Sequence, residues 1–150
     1  MYTNSGGARL TGGELEWEQS LLPSLKLDGN ISYADTDVKD TGDPVPKTAN
    51  LLANIGLSYE VFNNLFINTQ YRYVGRRNRE PQDTRSKLDA FHTVDVTVSL
   101  FNLFKDGLTL RAGIKNILDG DVRYAAPMNT YSEDYPQSSQ LWWTELSNEF

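Results

Sequence analysis

The sequence holds no cysteine, one histidine and no apolar run near the ~18 residues that a membrane-spanning helix needs. Without cysteine there are no disulfide staples and no thiolate metal sites. His92 has no second histidine with which to share a metal and no Ser or Cys arrangement to serve as a base, so neither a metal centre nor a nucleophilic triad is expected. Glycine-rich phosphate motifs are missing too. Asp119, Asp121, Glu133 and Asp134 lack the Gly and closing Glu of a calcium loop, and strand termination accounts for them better. Positive charge is in deficit: a net charge of -6 and a pI near 4.7 argue against nucleic acid as a partner. No enzyme activity and no cofactor are expected.

What the sequence has in abundance is alternation. Period-two patterning recurs in about seven stretches, residues 8–19, 25–35, 50–60, 65–74, 91–100, 108–117 and 140–150, and none shows a convincing helical period. One face collects Leu15, Trp17, Ile31, Ile55, Leu57, Ile67, Val94, Val96, Val98, Leu110, Ile114 and Leu146, all uncharged. The other carries Glu14, Glu16, Glu18, Lys26, Asp28, Glu60, Arg72, Asp95, Arg111, Lys115, Glu145 and Glu149 among Asn, Ser and Thr. Arg or Lys facing lipid costs a barrel roughly 2–4 kcal/mol at the bilayer midplane, whereas the lumen tolerates charge. Hydrocarbon on one side and water on the other would produce this partition. A mean hydropathy of -0.51 is blind to it, because every second residue is polar.

Connectors alternate in kind. Short turns fall near Pro23-Ser24, Asn63-Asn64 and Asp106-Gly107, and long polar segments occupy residues 36–47, 76–87 and 118–139. The pattern predicts an all-β fold, an antiparallel up-and-down transmembrane β-barrel segment with short turns at one end and long loops at the other. Aromatics fit that orientation, because Trp and Tyr prefer the headgroup level. Trp17, Tyr59 and Phe150 lie on the apolar face at the short-turn ends, and Tyr33, Tyr73 and Trp142 at the long-loop ends. In the 91–100/108–117 hairpin, Leu100 is expected to face Leu108, Val98 to face Leu110, Val96 to face Ala112 and Val94 to face Ile114, with Asp95 diagonal to Arg111. In the first hairpin Glu18 is expected opposite Lys26, which sets Glu16 against Asp28.

The segment Ile114-Lys115-Asn116-Ile117-Leu118-Asp119-Gly120-Asp121-Val122-Arg123-Tyr124 resembles the penultimate-strand motif of TonB-dependent outer-membrane receptors. Tyr135-Pro136 and the run from Leu141 to Phe150 resemble their closing strand, although Asn148 stands where that family usually has an aromatic or apolar side chain. Residues 7–16 and Tyr71-Arg72-Tyr73-Val74-Gly75 are similar to earlier strands of the same barrels. The resemblance implies a 22-stranded barrel around a plugged lumen, of which these strands are the C-terminal part. About seven strands cannot close it, and open edges are not tolerated in hydrocarbon. Met1-Tyr2-Thr3-Asn4-Ser5 shows no secretory leader, so the chain is expected to be a piece whose plug, signal peptide and TonB-engaging segment lie elsewhere.

The family's activity implies energy-coupled uptake of a scarce nutrient, such as a ferric siderophore, across the outer membrane of a Gram-negative bacterium. The implied partners are that ligand, outer-membrane lipid and lipopolysaccharide, the TonB energy-coupling protein, and the barrel-assembly machinery, which would read Phe150 as its signal. Arg76, Arg77 and Arg79 crowd the second long loop together with Arg85, Arg72 approaches it from the lumen side, and guanidinium forks suit anionic oxygens, so Arg72, Arg76, Arg77 and Arg79 are the expected ligand contacts. The competing reading is a solvated loop, or one that holds lipopolysaccharide phosphates. Tyr131 and Tyr135, with Tyr124, are expected to stack on a ligand or to pack the last loop. Two other classes of protein fit less of the pattern: a soluble β-sandwich binding module, and a nonfunctional truncated barrel remnant.

Overall fold

The computed structural model describes residues 6–104 and 106–149. Among the described residues nine strands follow one another: β1 (Ala8–Leu22), β2 (Leu25–Val38), β3 (Leu51–Phe62), β4 (Leu65–Val74), β5 (Phe91–Leu100), β6 (Leu108–Lys115), β7 (Arg123–Tyr124), β8 (Tyr135–Pro136) and β9 (Leu141–Asn148). Seven of them form one antiparallel sheet in the order β1-β2-β3-β4-β5-β6-β9, an up-and-down meander; β7 and β8 pair separately inside the last long connection.

Register keeps the apolar face together through the middle of the sheet. On the apolar face Leu15 faces Ile31, Ile31 faces Ala53, Ala53 faces Tyr73 and Tyr73 faces His92. Further along, Val98 faces Ala112 and Leu110 faces Leu146. On the opposite face the polar side chains bond to one another: Asn54 Nδ2 donates to Asn30 Oδ1 at 2.9 Å, Ser58 Oγ to Asn68 Oδ1 at 2.8 Å, and Arg111 Nη1 to Glu145 Oε1 at 2.9 Å.

Two β-bulges make this agreement possible. The two-residue turn Pro23-Ser24 sets Leu22 opposite Leu25, which by itself would pair odd residues with even ones and turn the apolar faces of β1 and β2 to opposite sides. Leu21 enters β1 as an extra residue, the register slips by one, and Trp17 meets Gly29 on a shared face. Val61 does the same in β3, where Phe62 faces Leu65 across the Asn63-Asn64 turn.

Among the described residues nothing packs on the apolar face. Trp142 is 70 % exposed, Leu146 65 % and Leu15 63 %, and among the described residues no large side chain is fully buried. The described strands form a single layer and not the two facing sheets of a β-sandwich.

The structure corrects several details. Strands β1, β2 and β3 run past the expected ends, because pairing continues through the bulges and out toward the long loops. The β5–β6 register is offset by two residues from expectation: Leu100 faces Leu110, Val98 faces Ala112 and Val96 faces Ile114. Positive φ at Asn102, Phe104 and Gly107, and a Leu103 N–H to Leu108 carbonyl bond of 2.8 Å, make the connection a wider loop than a tight turn. Arg111 therefore pairs with Glu145, while Asp95 accepts from the Asn116 N–H at 2.8 Å. In the first hairpin Glu18 faces Asp28, Glu16 faces Asn30, and Lys26 stands between Ser20 and Ser58. β6 stops at Lys115 because Asn116 turns the chain with φ 50°. Phe150 lies outside the described residues.

Candidate functional site

Three long connections, residues 39–50, 75–90 and 116–140, gather at one end of the sheet, and the most deeply buried apolar side chains, Leu88 and Ala126, lie there rather than in the strands. The first connection is tied to the second by backbone: Lys47 N–H donates to the Asn78 carbonyl at 2.7 Å, and Asn78 N–H to the Thr48 carbonyl at 3.3 Å. Arg77 and Leu88 exchange two backbone bonds of 3.1 Å, folding the second connection back on itself.

Side chains join the second connection to the third. The Arg79 fork grips Asp134, Nη1 to Oδ1 at 2.8 Å and Nη2 to Oδ2 at 2.5 Å, while Nε donates to the Ser86 carbonyl at 2.5 Å. Arg85 Nη2 donates to Asp83 Oδ2 at 2.6 Å and to the Ala126 carbonyl at 2.8 Å, and Nη1 to the Tyr131 carbonyl at 3.3 Å. The hydrogen bonds from Arg85 hold the Asp83 carboxyl down to about 2, and those from Arg79 hold Asp134 below the usual carboxylate range. Conversely, Asp83 raises Arg85, and Asp121 raises Arg123, whose Nε lies 2.8 Å from it.

Asn116 organises the start of the third connection. Its Nδ2 donates to the Gly120 carbonyl at 2.9 Å and its Oδ1 accepts from the Gly120 N–H at 3.0 Å, closing a turn whose positive φ Asn tolerates better than other side chains. Ser139 Oγ donates to Asp119 across the same region. Tyr131 and Tyr135 stack at 5.8 Å with planes 10° apart, both about half-exposed. Tyr135 also pairs with Tyr124 through β7 and β8.

The expected ligand contacts thus separate into two groups. Arg79 has all three guanidinium nitrogens engaged within the loops. Arg77 is buried, with its guanidinium 4.9 Å from the Phe91 ring centre and 5.9 Å from that of Tyr124, and burial pushes its pKa down. Contacts of that kind contribute about 2 kcal/mol when desolvated, less than the several kcal/mol of hydration that a buried ion loses. Arg76 is exposed and 4.0 Å from Asp89, and Arg72 sits exposed on the polar face between Asn54 and Thr93. These two, with Tyr131 and Tyr135, remain open to a ligand. Asp83 and Lys87 were not marked by sequence reasoning, and Asn116 and Arg123 only as members of the segment that resembles the penultimate strand; the short Asp83–Arg85 and Asp121–Arg123 spacings were a further local signal.

Of the aromatics expected at the two ends of the strands, Trp17 lies over Gly29, Tyr59 pairs with Leu25 and Ile67, Tyr33 with Gly13 and Leu51, Tyr73 with Ala53 and His92, and Trp142 with Ile114. All five stand on the apolar face. The polar face holds a groove of about 680 Å3 walled by Glu16, Glu18, Lys26, Asp28 and Gln70. Among the described residues no group of His, Asp and Glu is arranged to hold a metal ion.

A family model described as TonB dependent receptor-like, beta-barrel, matches residues 1–117. The fold is similar to that of the copper transporter OprC, with 23 % identity and a TM-score of 0.77 over 95 % of this chain and 24 % of that one. It is also similar to a variant of the ferric enterobactin receptor PfeA of Pseudomonas aeruginosa, with 19 % identity and a TM-score of 0.82 over 98 % of this chain and 23 % of that one. The siderophore receptor PirA of Acinetobacter baumannii gives 19 % identity and a TM-score of 0.77 over 94 % and 22 %. The chain therefore spans about a quarter of the length of these solved structures. No curated protein matches the sequence.

Proposed function

Because the chain belongs to the TonB-dependent receptor-like β-barrel family, we propose that it is the C-terminal strand-and-loop portion of an outer-membrane receptor that takes up a scarce nutrient with energy coupled through TonB. The observation that carries this reading is the one-sided sheet: an apolar face left uncovered through the middle of the strands, with its charges Arg9, Asp35 and Asp37 only at the long-loop end, backed by a hydrogen-bonded polar face. Lipid and lipopolysaccharide would cover the first, and a water-filled or plugged lumen the second. Trp17 and Tyr59 would sit at one interface, and Tyr33, Tyr73 and Trp142 at the other.

The packed loops form part of the outward vestibule. Arg72 and Arg76 are its open cationic donors and Tyr131 and Tyr135 its open aromatic surface, while Arg79 and Arg85 hold the loops together. Guanidinium and stacked phenol faces suit an anionic, aromatic chelate, which favours a ferric siderophore as the nutrient. The chain's contribution is wall and vestibule; the barrel-assembly machinery and the TonB protein act through the complete receptor.

Brominated-lipid quenching of Trp17 and Trp142, in protein assembled in bilayers and scored by heat-modifiable gel mobility, tests the reading. Both tryptophans should be quenched. A water-soluble monomer with unquenched tryptophans would end it.

A further inference from the structure

The first two short turns of the sheet carry apolar side chains where polar ones usually stand. Residues 19–25 and 61–69 hold no ionisable group. Leu22 is 58 % exposed and Phe62 66 %, and both stand on the apolar face, opposite Leu25 and Leu65. In the third short connection Phe104 is 95 % exposed at φ 65°, a conformation that bulky side chains rarely adopt. Backbone at the first two turns is partly satisfied from within the sheet: Glu60 N–H donates to the Ser24 carbonyl and Phe101 N–H to the Asn64 carbonyl, each at 2.8 Å. Carbonyls so engaged lose less on leaving water.

Charge on the apolar face of the strands is confined to the opposite end, where Arg9 faces Asp37 and Thr11 faces Asp35. Hydrocarbon therefore stops near Tyr33 on β2, one step short of Asp35 on that face. From Tyr33 down to Leu25 the strand rises about 26 Å at ~3.3 Å per residue, which a tilt of ~40° reduces to about 20 Å along the membrane normal. A barrel's apolar band is about 25 Å tall, so the remaining ~5 Å, about two residues, falls on the turn itself. In water, Leu22 and Phe62 would forfeit the free energy that apolar burial supplies. Granted the outer-membrane reading above, on which this rests, we propose that the bilayer reaches past the strands to the tips of the first two hairpins. Leu22 and Phe62 are seated at the glycerol end of phospholipid acyl chains, and Phe104 lies among the headgroups. The turns thereby fix the depth of the sheet in the membrane. Tyr59, level with Leu25, is long enough to reach the same headgroups.

The sequence has no cysteine, so Leu22→Cys, Phe62→Cys, Ile55→Cys and Thr41→Cys each give a single attachment point for a nitroxide label. Each labelled protein is assembled in phosphatidylethanolamine bilayers and checked by gel mobility. Relaxation of the label by oxygen, which concentrates in hydrocarbon, is compared with relaxation by a water-soluble nickel chelate. Leu22→Cys and Phe62→Cys are expected to follow Ile55→Cys, with oxygen dominant, and to differ severalfold from Thr41→Cys in the first long connection. Dominant nickel relaxation at either turn overturns the proposal. The unsubstituted protein gives a second reading: the Phe62 ring protons should be shielded from a water-soluble gadolinium chelate that broadens those of Tyr131, and equal broadening also overturns it. Nickel-dominant relaxation at Ile55→Cys would remove the receptor reading together with the immersed turns. Oxygen-dominant relaxation at Ile55→Cys, with nickel dominant at both turns, would remove the immersed turns alone.

Discussion

Arg79 and Asp134 stand 55 residues apart in sequence and meet as a two-pronged ion pair that joins the second long connection to the third, with side chains 8 % and 15 % exposed. Such a pair adds little net stability over an apolar substitute, since desolvation offsets its attraction, but removing one partner strands a buried charge. The pair therefore acts as a fastener whose halves are worth most together.

Arg79→Ala should cost the loop assembly about 3–5 kcal/mol, and Arg79→Ala with Asp134→Ala clearly less than the two single changes summed. Hydrogen exchange of the Ala126 and Leu88 amides, compared across the double-mutant cycle, measures it. Additive losses would show that the two side chains act independently.

The same loops should be insensitive to acid over most of the range. Asp83 is held at about 2 and Asp134 is also lowered, so both carboxylates titrate below their unfolded value of about 3.9. Their stabilisation is complete above about pH 4 and is lost below it, for Asp83 as pH falls toward about 2. Exchange of the Ala126 and Arg85 amides, corrected for intrinsic rates, should stay flat down to about pH 4 and then rise. A rise between about pH 7 and about pH 5 would contradict the carboxylate assignment.

Val96 and Thr97 are neighbours on opposite faces of β5. Val96→Lys should impair bilayer assembly by roughly 2–4 kcal/mol, while Thr97→Lys should be nearly harmless. Heat-modifiable gel mobility after refolding into vesicles reads the difference, and equal effects would reverse the membrane assignment of the apolar face.

Asn116→Ala removes both bonds to Gly120 and puts an alanine at φ 50°. A loss of about 1–3 kcal/mol is expected in the third connection, seen as faster exchange of the Gly120 amide. Asn116→Asp keeps an acceptor for that amide and should lose less.

Alternation made the strands and their faces legible, because a period of two survives any error of register by an even number of residues. That is why Val98 could be matched to Leu110 instead of Ala112 with no effect on which side either residue faces. Bulges were not legible: Leu21 is one more apolar residue beside a turn, and the one-residue slip that sets Glu18 opposite Asp28 instead of Gly29 leaves no mark in composition. The loop cluster was least legible. Arg79 read as a ligand donor and Asp134 as a strand terminator, since nothing local in the chain announces a partner 55 residues away.

The extra residues Leu21 and Val61 set a rule for how this chain can change in length. Near the tight ends of the first two hairpins, only insertions or deletions that come in twos preserve which side chains meet oil and which meet water. Losing Leu21 alone would roll Trp17 and Leu15 inward and drive Glu16 and Glu18 out. At the other end no such arithmetic applies, and the long connections are free to lengthen, shorten and diversify one residue at a time.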